Sequence, residues 1–183
     1  MKYRAVLLAL VATLMTIQPA FADLDFSQYY SISMAAARNK TDDVRAMLIA
    51  GRSPDDTDDS GQSPLGYAAS LGNAEMTQVL LKYHAPVDRQ DRFGNTPLHW
   101  AAERGSIDVM QLLIDAKAPI DVPNRQGMTP LMMAAKNGQV LAVRLLLKHG
   151  ADPTKQDYTG RDAAGWAEGK PNVLQALRSV KPG

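Results

Sequence analysis

Thr96-Pro97-Leu98-His99-Trp100-Ala101-Ala102-Glu103-Arg104-Gly105 decides the fold, because the chain spells this stretch again at a fixed interval. Ser63 opens SPLGYAASLG, Thr129 opens TPLMMAAKNG and Asp162 opens a fainter copy, each 33 residues from the next. The register extends beyond the motif. Gly61, Gly94, Gly127 and Gly160 share one phase, and Asp58, Asp91, Asn124 and Asp157 share another. Carried backwards, the same phase sets Tyr30 to Asn39 on the motif, with Ala35 and Ala36 matching Ala68 and Ala69. A period of this length means stacked copies of one supersecondary unit, not a closed globule.

Within a copy the residues read as two helices. Thr96 suits an N-cap and Pro97 the first turn, where proline's missing N–H goes unneeded and its φ is already helical. Ala101 and Ala102 let a neighbour approach closely, and Gly105 ends the first helix. The second helix, expected from about Ile107 to Ala116, carries Ile107, Val109, Met110, Leu112, Leu113 and Ile114, too many apolar residues for a single narrow stripe. It is therefore expected to sit between neighbouring units. The third full copy repeats this with Val140, Leu141, Val143, Leu145, Leu146 and Leu147, and the first with Met76, Val79, Leu80 and Leu81.

Thr96-Pro97-Leu98-His99, Ala101-Ala102, Gly105 and Leu112-Leu113 resemble the ankyrin repeat. The resemblance covers nearly everything after about residue 26 and implies an all-α solenoid of about five helix-turn-helix units with short hairpin-like finger loops. The units fall approximately at 26–57, 58–90, 91–123, 124–156 and 157–183 of a repeat domain spanning 23–183. Both ends depart from the pattern as caps should: Tyr30-Ser31 replaces the Thr-Pro pair, and Ala164 stands where Leu65, Leu98 and Leu131 are large. Where the family ends its second helix in a left-handed glycine, Gly51 and Gly150 conform. His84 and Lys117 do not, a local cost on the order of 1 kcal/mol each.

The first 22 residues differ in kind. Lys2 and Arg4 precede an apolar run from Ala5 to Ile17, and Ala20-Phe21-Ala22 offers small residues at both positions a signal peptidase reads. A secretory signal cleaved after Ala22 is expected. The apolar run is shorter than the roughly 20 residues of a spanning helix, so no membrane association is expected after cleavage. Loss of Lys2 and Arg4 leaves 18 basic and 19 acidic side chains, a balance that argues against nucleic acid as a partner. With no cysteine, stability rests on the packed core and not on disulfides. A soluble, monomeric periplasmic protein of a Gram-negative bacterium is the expectation, with release outside the cell as the alternative.

Catalytic signatures are wanting. His84, His99 and His149 form no His-x-x-x-His or His-Glu pairing that sets two ligands on one helix face. There is no cysteine nucleophile, no Gly-x-Ser-x-Gly elbow and no phosphate-cradling glycine loop. Asp55-Asp56-Thr57-Asp58-Asp59 lacks the glycine and glutamate spacing of a calcium loop and reads as a solvated turn. At His99 the resemblance implies a structural hydrogen bond between adjacent loops. The expectation is a protein that is not an enzyme and needs no cofactor or metal.

What remains is a binding surface. The resemblance implies that the turns before each first helix project as fingers and, with those helices, line a concave face. Residues after the framework acid are then Asp59 and Ser60, Arg92 and Phe93, Arg125 and Gln126, Tyr158 and Thr159. The turns after each Ala-Ala pair add Ser70-Leu71, Glu103-Arg104 and Lys136-Asn137. Tyr67, Trp100, Met133 and Trp166 share a phase that reads either as a ridge on the groove or as packing between units. Arg92, Phe93, Trp100, Arg104, Arg125, Gln126, Met133, Lys136 and Tyr158 are the expected partner contacts, since arginine and aromatic residues dominate interface hot spots. The partner is expected to be a protein. Exported bacterial ankyrin proteins look like accessory factors to periplasmic enzymes, including those of peroxide defence. The alternative is an inhibitor or immunity protein for a cell-wall hydrolase or a delivered toxin.

Overall fold

The computed structural model describes residues 31–179. The expected signal segment, the start of the first unit up to Tyr30 and the tail beyond Ser179 lie outside the described residues. Among those described, all regular structure is helical and falls into five successive pairs. These are α1 (Ile32–Ala37) with α2 (Thr41–Ile49), α3 (Pro64–Leu71) with α4 (Ala74–Lys82), α5 (Pro97–Arg104) with α6 (Ile107–Asp115), α7 (Pro130–Lys136) with α8 (Val140–Lys148), and α9 (Ala163–Trp166) with α10 (Pro171–Ser179).

The helices begin and end where their sequence dictates. Proline follows the cap in α3, α5 and α7. Ser63 Oγ accepts from Gly66 N–H at 3.0 Å, Thr129 Oγ1 from Met132 N–H at 3.4 Å and Asp162 Oδ1 from Gly165 N–H at 2.7 Å, each taking up an orphan donor of a first turn. Gly72 and Gly105 close α3 and α5 in the left-handed conformation. His84 (φ 61°) and Lys117 (φ 67°) adopt that conformation after α4 and α6 without being glycine, as does Asn39 (φ 58°) after α1.

Packing follows the same period. Each first helix contacts the next first helix, and each second helix contacts the next second helix, so two parallel layers run through the array. Leu65, Leu98 and Leu131 occupy the same place in successive units and are fully buried, with Ala68-Ala69, Ala101-Ala102 and Ala134-Ala135 packed around them. Their small size is what lets α3, α5 and α7 stack closely. From the second layer come Met76, Leu80, Met110, Leu113 and Leu146, also buried. Each such side chain contributes roughly 1.5–3 kcal/mol by leaving water, and stacking of neighbouring units is part of what removes it from water.

Leu141 departs from the expected burial. It is 65% exposed, because it shares the outer face of α8 with Arg144 and Lys148, while Ala142, Val143, Leu146 and Leu147 turn inward. At the carboxyl end α9 is one turn long, and its Ala164 faces solvent at the position where Leu65, Leu98 and Leu131 are buried in the earlier units.

Candidate functional site

The fingers are built by one repeated device. In each, the framework residue's Oδ1 accepts from the backbone N–H groups two and four positions on. Asp91 takes Phe93 and Asn95 at 2.8 and 2.9 Å, Asn124 takes Gln126 and Met128 at 2.9 and 3.0 Å, and Asp157 takes Thr159 and Arg161 at 2.8 and 3.0 Å. Asp58 does the same with Ser60 and Gln62. A short side chain thus ties the turn into a fixed loop. One backbone hydrogen bond links each finger to the next: Arg92 N–H to the Ser60 carbonyl, Arg125 N–H to that of Phe93 and Tyr158 N–H to that of Gln126, at 3.0 to 3.1 Å. Glycine is required at the tips. Gly94 has φ 79°, and a Cβ there would come within 2.7 Å of Arg125 N.

The second oxygen of the framework acid binds the first helix. Trp100 and Trp166 donate their indole N–H to Asp91 Oδ2 and Asp157 Oδ2, each at 3.0 Å, and Tyr67 donates its hydroxyl to Asp58 Oδ2. These rings are half-buried and their polar atoms are used within their own unit. Burial pushes the Asp58 carboxyl up, but the hydroxyls of Ser60 and Tyr67 and the N–H groups of Gln62 and Ser60 outweigh it and hold it below the usual carboxylate value. Burial and then the Asp58 charge push the Tyr67 phenol up to about 12, so it remains a donor. Asp157 follows Asp58: its burial is outweighed by Thr159, Arg161 and Trp166.

The unit of Asn124 breaks the rule. Its amide Nδ2 donates to Asn95 Oδ1 at 2.8 Å, and the residue nine positions on is Met133 in place of a ring with a donor. A cleft of about 560 Å³ opens there, lined by Arg92, Phe93, Asn95, Trp100, Glu103, Asn124, Arg125, Gln126, Met133 and Lys136. The structure therefore gathers Arg92, Phe93, Trp100, Arg125, Gln126, Met133 and Lys136 around one depression. Arg104 and Tyr158 lie outside it. Arg104 reaches back to the Ser70 carbonyl at 3.2 Å, and Tyr158, 76% exposed, continues the finger row one unit on. Met133 is only 8% exposed and forms floor, as does half-buried Trp100; Phe93, at 52%, stands on the rim. Sequence reasoning did not place Asn95 and Asn124 in the site, and it set Glu103 on the face without counting it among the contacts. The signal was present in the pairing of Asn124 with Met133 where the other units pair Asp with an aromatic donor.

His99, next in the chain to Leu98 and Trp100, is fully buried. Its Nδ1 meets the Thr96 N–H at 3.1 Å and the Thr96 hydroxyl at 2.9 Å, while Nε2 lies 3.0 Å from the Met128 carbonyl of the next unit. A carbonyl can only accept, so Nε2 carries a proton, and Nδ1, which accepts the Thr96 N–H, carries none, so the ring is neutral. Burial drives its pKa down to about 4 against the pull of Met128, Asp91 and Val122. A ring with both nitrogens engaged is a staple between units and has no lone pair to offer a substrate. Among the described residues no group of three or more His, Asp or Glu side chains could hold a metal ion. In the acidic stretch, Asp58 organises the first finger, while Asp55 pairs with Arg89 of the next unit at 3.4 Å.

The family model described as Ankyrin repeats (3 copies) matches this chain over residues 32–124, 84–157 and 116–181. The chain belongs to the ankyrin-repeat family. Ankyrin repeats are protein–protein interaction modules, typically without catalytic activity. No match to a curated protein was found.

Proposed function

We propose that this ankyrin-repeat chain is a non-catalytic binding module that serves as an accessory or protective factor for an enzyme of the periplasm. The cleft between the fingers of Arg92-Phe93 and Arg125-Gln126 carries the reading. Its rim combines exposed arginine with an exposed aromatic ring, the chemistry of an interface hot spot, and its floor includes the apolar surfaces of Trp100 and Met133. Nothing in it pairs a nucleophile with a base, and the histidine nearest to it is buried and bonded at both nitrogens. The exported location rests on the basic start, apolar run and Ala-Phe-Ala close of residues 1–22. A near-neutral charge and fingers no longer than the repeat's own turn favour support of an enzyme over obstruction of its active site.

Affinity capture from a periplasmic extract, with the Arg92→Ala, Phe93→Ala, Arg125→Ala triple variant as control, tests this. The expected result is an enzyme retained by the wild-type chain and lost by the variant, whose activity or survival under stress rises when the chain is added. Inhibition of the captured enzyme would replace the accessory role with an inhibitory one. A partner held equally by the variant would remove the cleft from the interface.

A further inference from the structure

The cleft also specifies what kind of segment it takes. Arg92, Arg125 and Lys136 stand around it with Glu103 as the one carboxylate in the lining, a local excess of positive charge in a chain whose formal net charge is only +1. Among the described residues none of the three cations has a carboxylate partner; the ion pairs there join Arg45 to Glu75, Arg89 to Asp55 and Lys155 to Asp121. The Arg92 guanidinium lies 4.8 Å from the centre of the Phe93 ring. A guanidinium over a ring face still carries more N–H donors than the ring can use, and no carboxylate of the described residues takes them.

Beneath this charged rim Trp100 and Met133 give the floor an apolar part, beside the buried amides of Asn95 and Asn124, which bond to each other. Trp100 spends its N–H on Asp91, so only ring carbons are left to offer, and Met133 adds a thioether. The depression exists because Met133 stands where neighbouring units carry Tyr67, Trp100 or Trp166. Asn124 compensates by bonding Asn95 in place of an indole. Its volume lies within the range of pockets that hold side chains or small ligands.

We infer that the cleft binds a segment of a partner protein in which an apolar side chain is flanked by carboxylates, the apolar group seated on Trp100 and Met133 and the carboxylates held by Arg92, Arg125 and Lys136. This rests on the reading of the chain as a protein-binding module and names the chemistry its partner must display.

Fluorescence polarisation of labelled peptides against the full chain tests it. The probes are Glu-Glu-Phe-Glu-Glu, its alanine-centred form Glu-Glu-Ala-Glu-Glu and the charge-reversed Lys-Lys-Phe-Lys-Lys. The acidic phenylalanine peptide is expected to bind at least about tenfold more tightly than either other probe, and to weaken as salt screens the rim. Arg92→Glu with Arg125→Glu should abolish the preference for acid. Asn124→Asp with Met133→Trp, which copies the neighbouring units' own solution, should abolish the preference for phenylalanine over alanine while the thermal transition is kept. Equal or tighter binding of the basic peptide, indifference to the central residue, or no binding at about 1 mM of any probe overturns the inference. If the peptides fail while a captured partner still depends on Arg92, Phe93 and Arg125, the chemistry is wrong and the module stands. A partner indifferent to those residues overturns the site itself.

Discussion

The fingers of Asp91 and Asn124 are held by the same pair of side-chain-to-backbone bonds, yet one closes over a tryptophan and the other opens a cleft. On the proposed reading, what is common to the two supplies stability, and what differs supplies recognition. The division follows the framework residue atom by atom: Oδ1 serves the turn in both, and the second terminal atom is where they diverge. Beneath them the helix layers admit little variation, because Leu98 and Leu131 must fill the same space between the same alanines.

If that division holds, the largest losses come from the shared layers. Leu98→Ala or Leu113→Ala should cost roughly 2–5 kcal/mol in chemical denaturation, each leaving a cavity between stacked units. Normal stability in either would break the stacking register.

Next comes the staple that joins the two compared units. The pKa of His99 is about 4 when folded against an ordinary value of 6.5, so the unfolded chain binds more protons between those limits. Stability should therefore rise with pH across that window and be lost as pH falls through it, by about 3 kcal/mol in all. Asp58 and Asp157, held below their ordinary 3.8, lose their contributions only at lower pH, as each is protonated through its folded pKa. Denaturation of His99→Gln over the same pH series should show a flatter profile; an unchanged slope would remove His99 as its source.

The exchange between the fingers makes a finer test. Asp91→Asn retains an oxygen for the turn but can turn its amide N–H groups towards the Trp100 N–H, leaving a donor without an acceptor at a cost of about 1–3 kcal/mol. Asn124→Asp should cost less, since the Asn95 amide can reverse and donate. Equal losses would mean that the second atom does not distinguish the fingers. The smallest effect is expected at the tips: alanine at Arg92, Phe93 and Arg125 together should move the thermal transition by no more than a few degrees, exposed changes costing less than about 0.5 kcal/mol each. Collapse of the fold would show that these side chains carry structure.

The helix pairs, their caps and the buried leucines were legible in the sequence because each follows from a local rule repeated at constant spacing. Thr96-Pro97 starts a helix wherever it occurs, and Gly105 ends one. Leu141 was misjudged for the same reason: an apolar count along α8 cannot say which way a residue faces once the helix turns Arg144 and Lys148 to the same side. Tyr67, Trp100 and Trp166 could be placed on a common phase, but whether they lined a groove or packed could not be decided without knowing where their polar atoms go. The cleft was harder still. It depends on Asn124 and Asn95, far apart in sequence and silent until the finger row sets them side by side.

A cleft that arises from exchanging a few residues within a copied framework is portable. The same exchange one unit earlier, Asp91→Asn with Trp100→Met and with Gln62→Asn to stand for Asn95, would set a second opening 33 residues before the first, since the junction of Ser60 with Arg92 has the same backbone bond as that of Phe93 with Arg125. A chain made this way can change what it holds by editing one copy while its siblings keep the text intact.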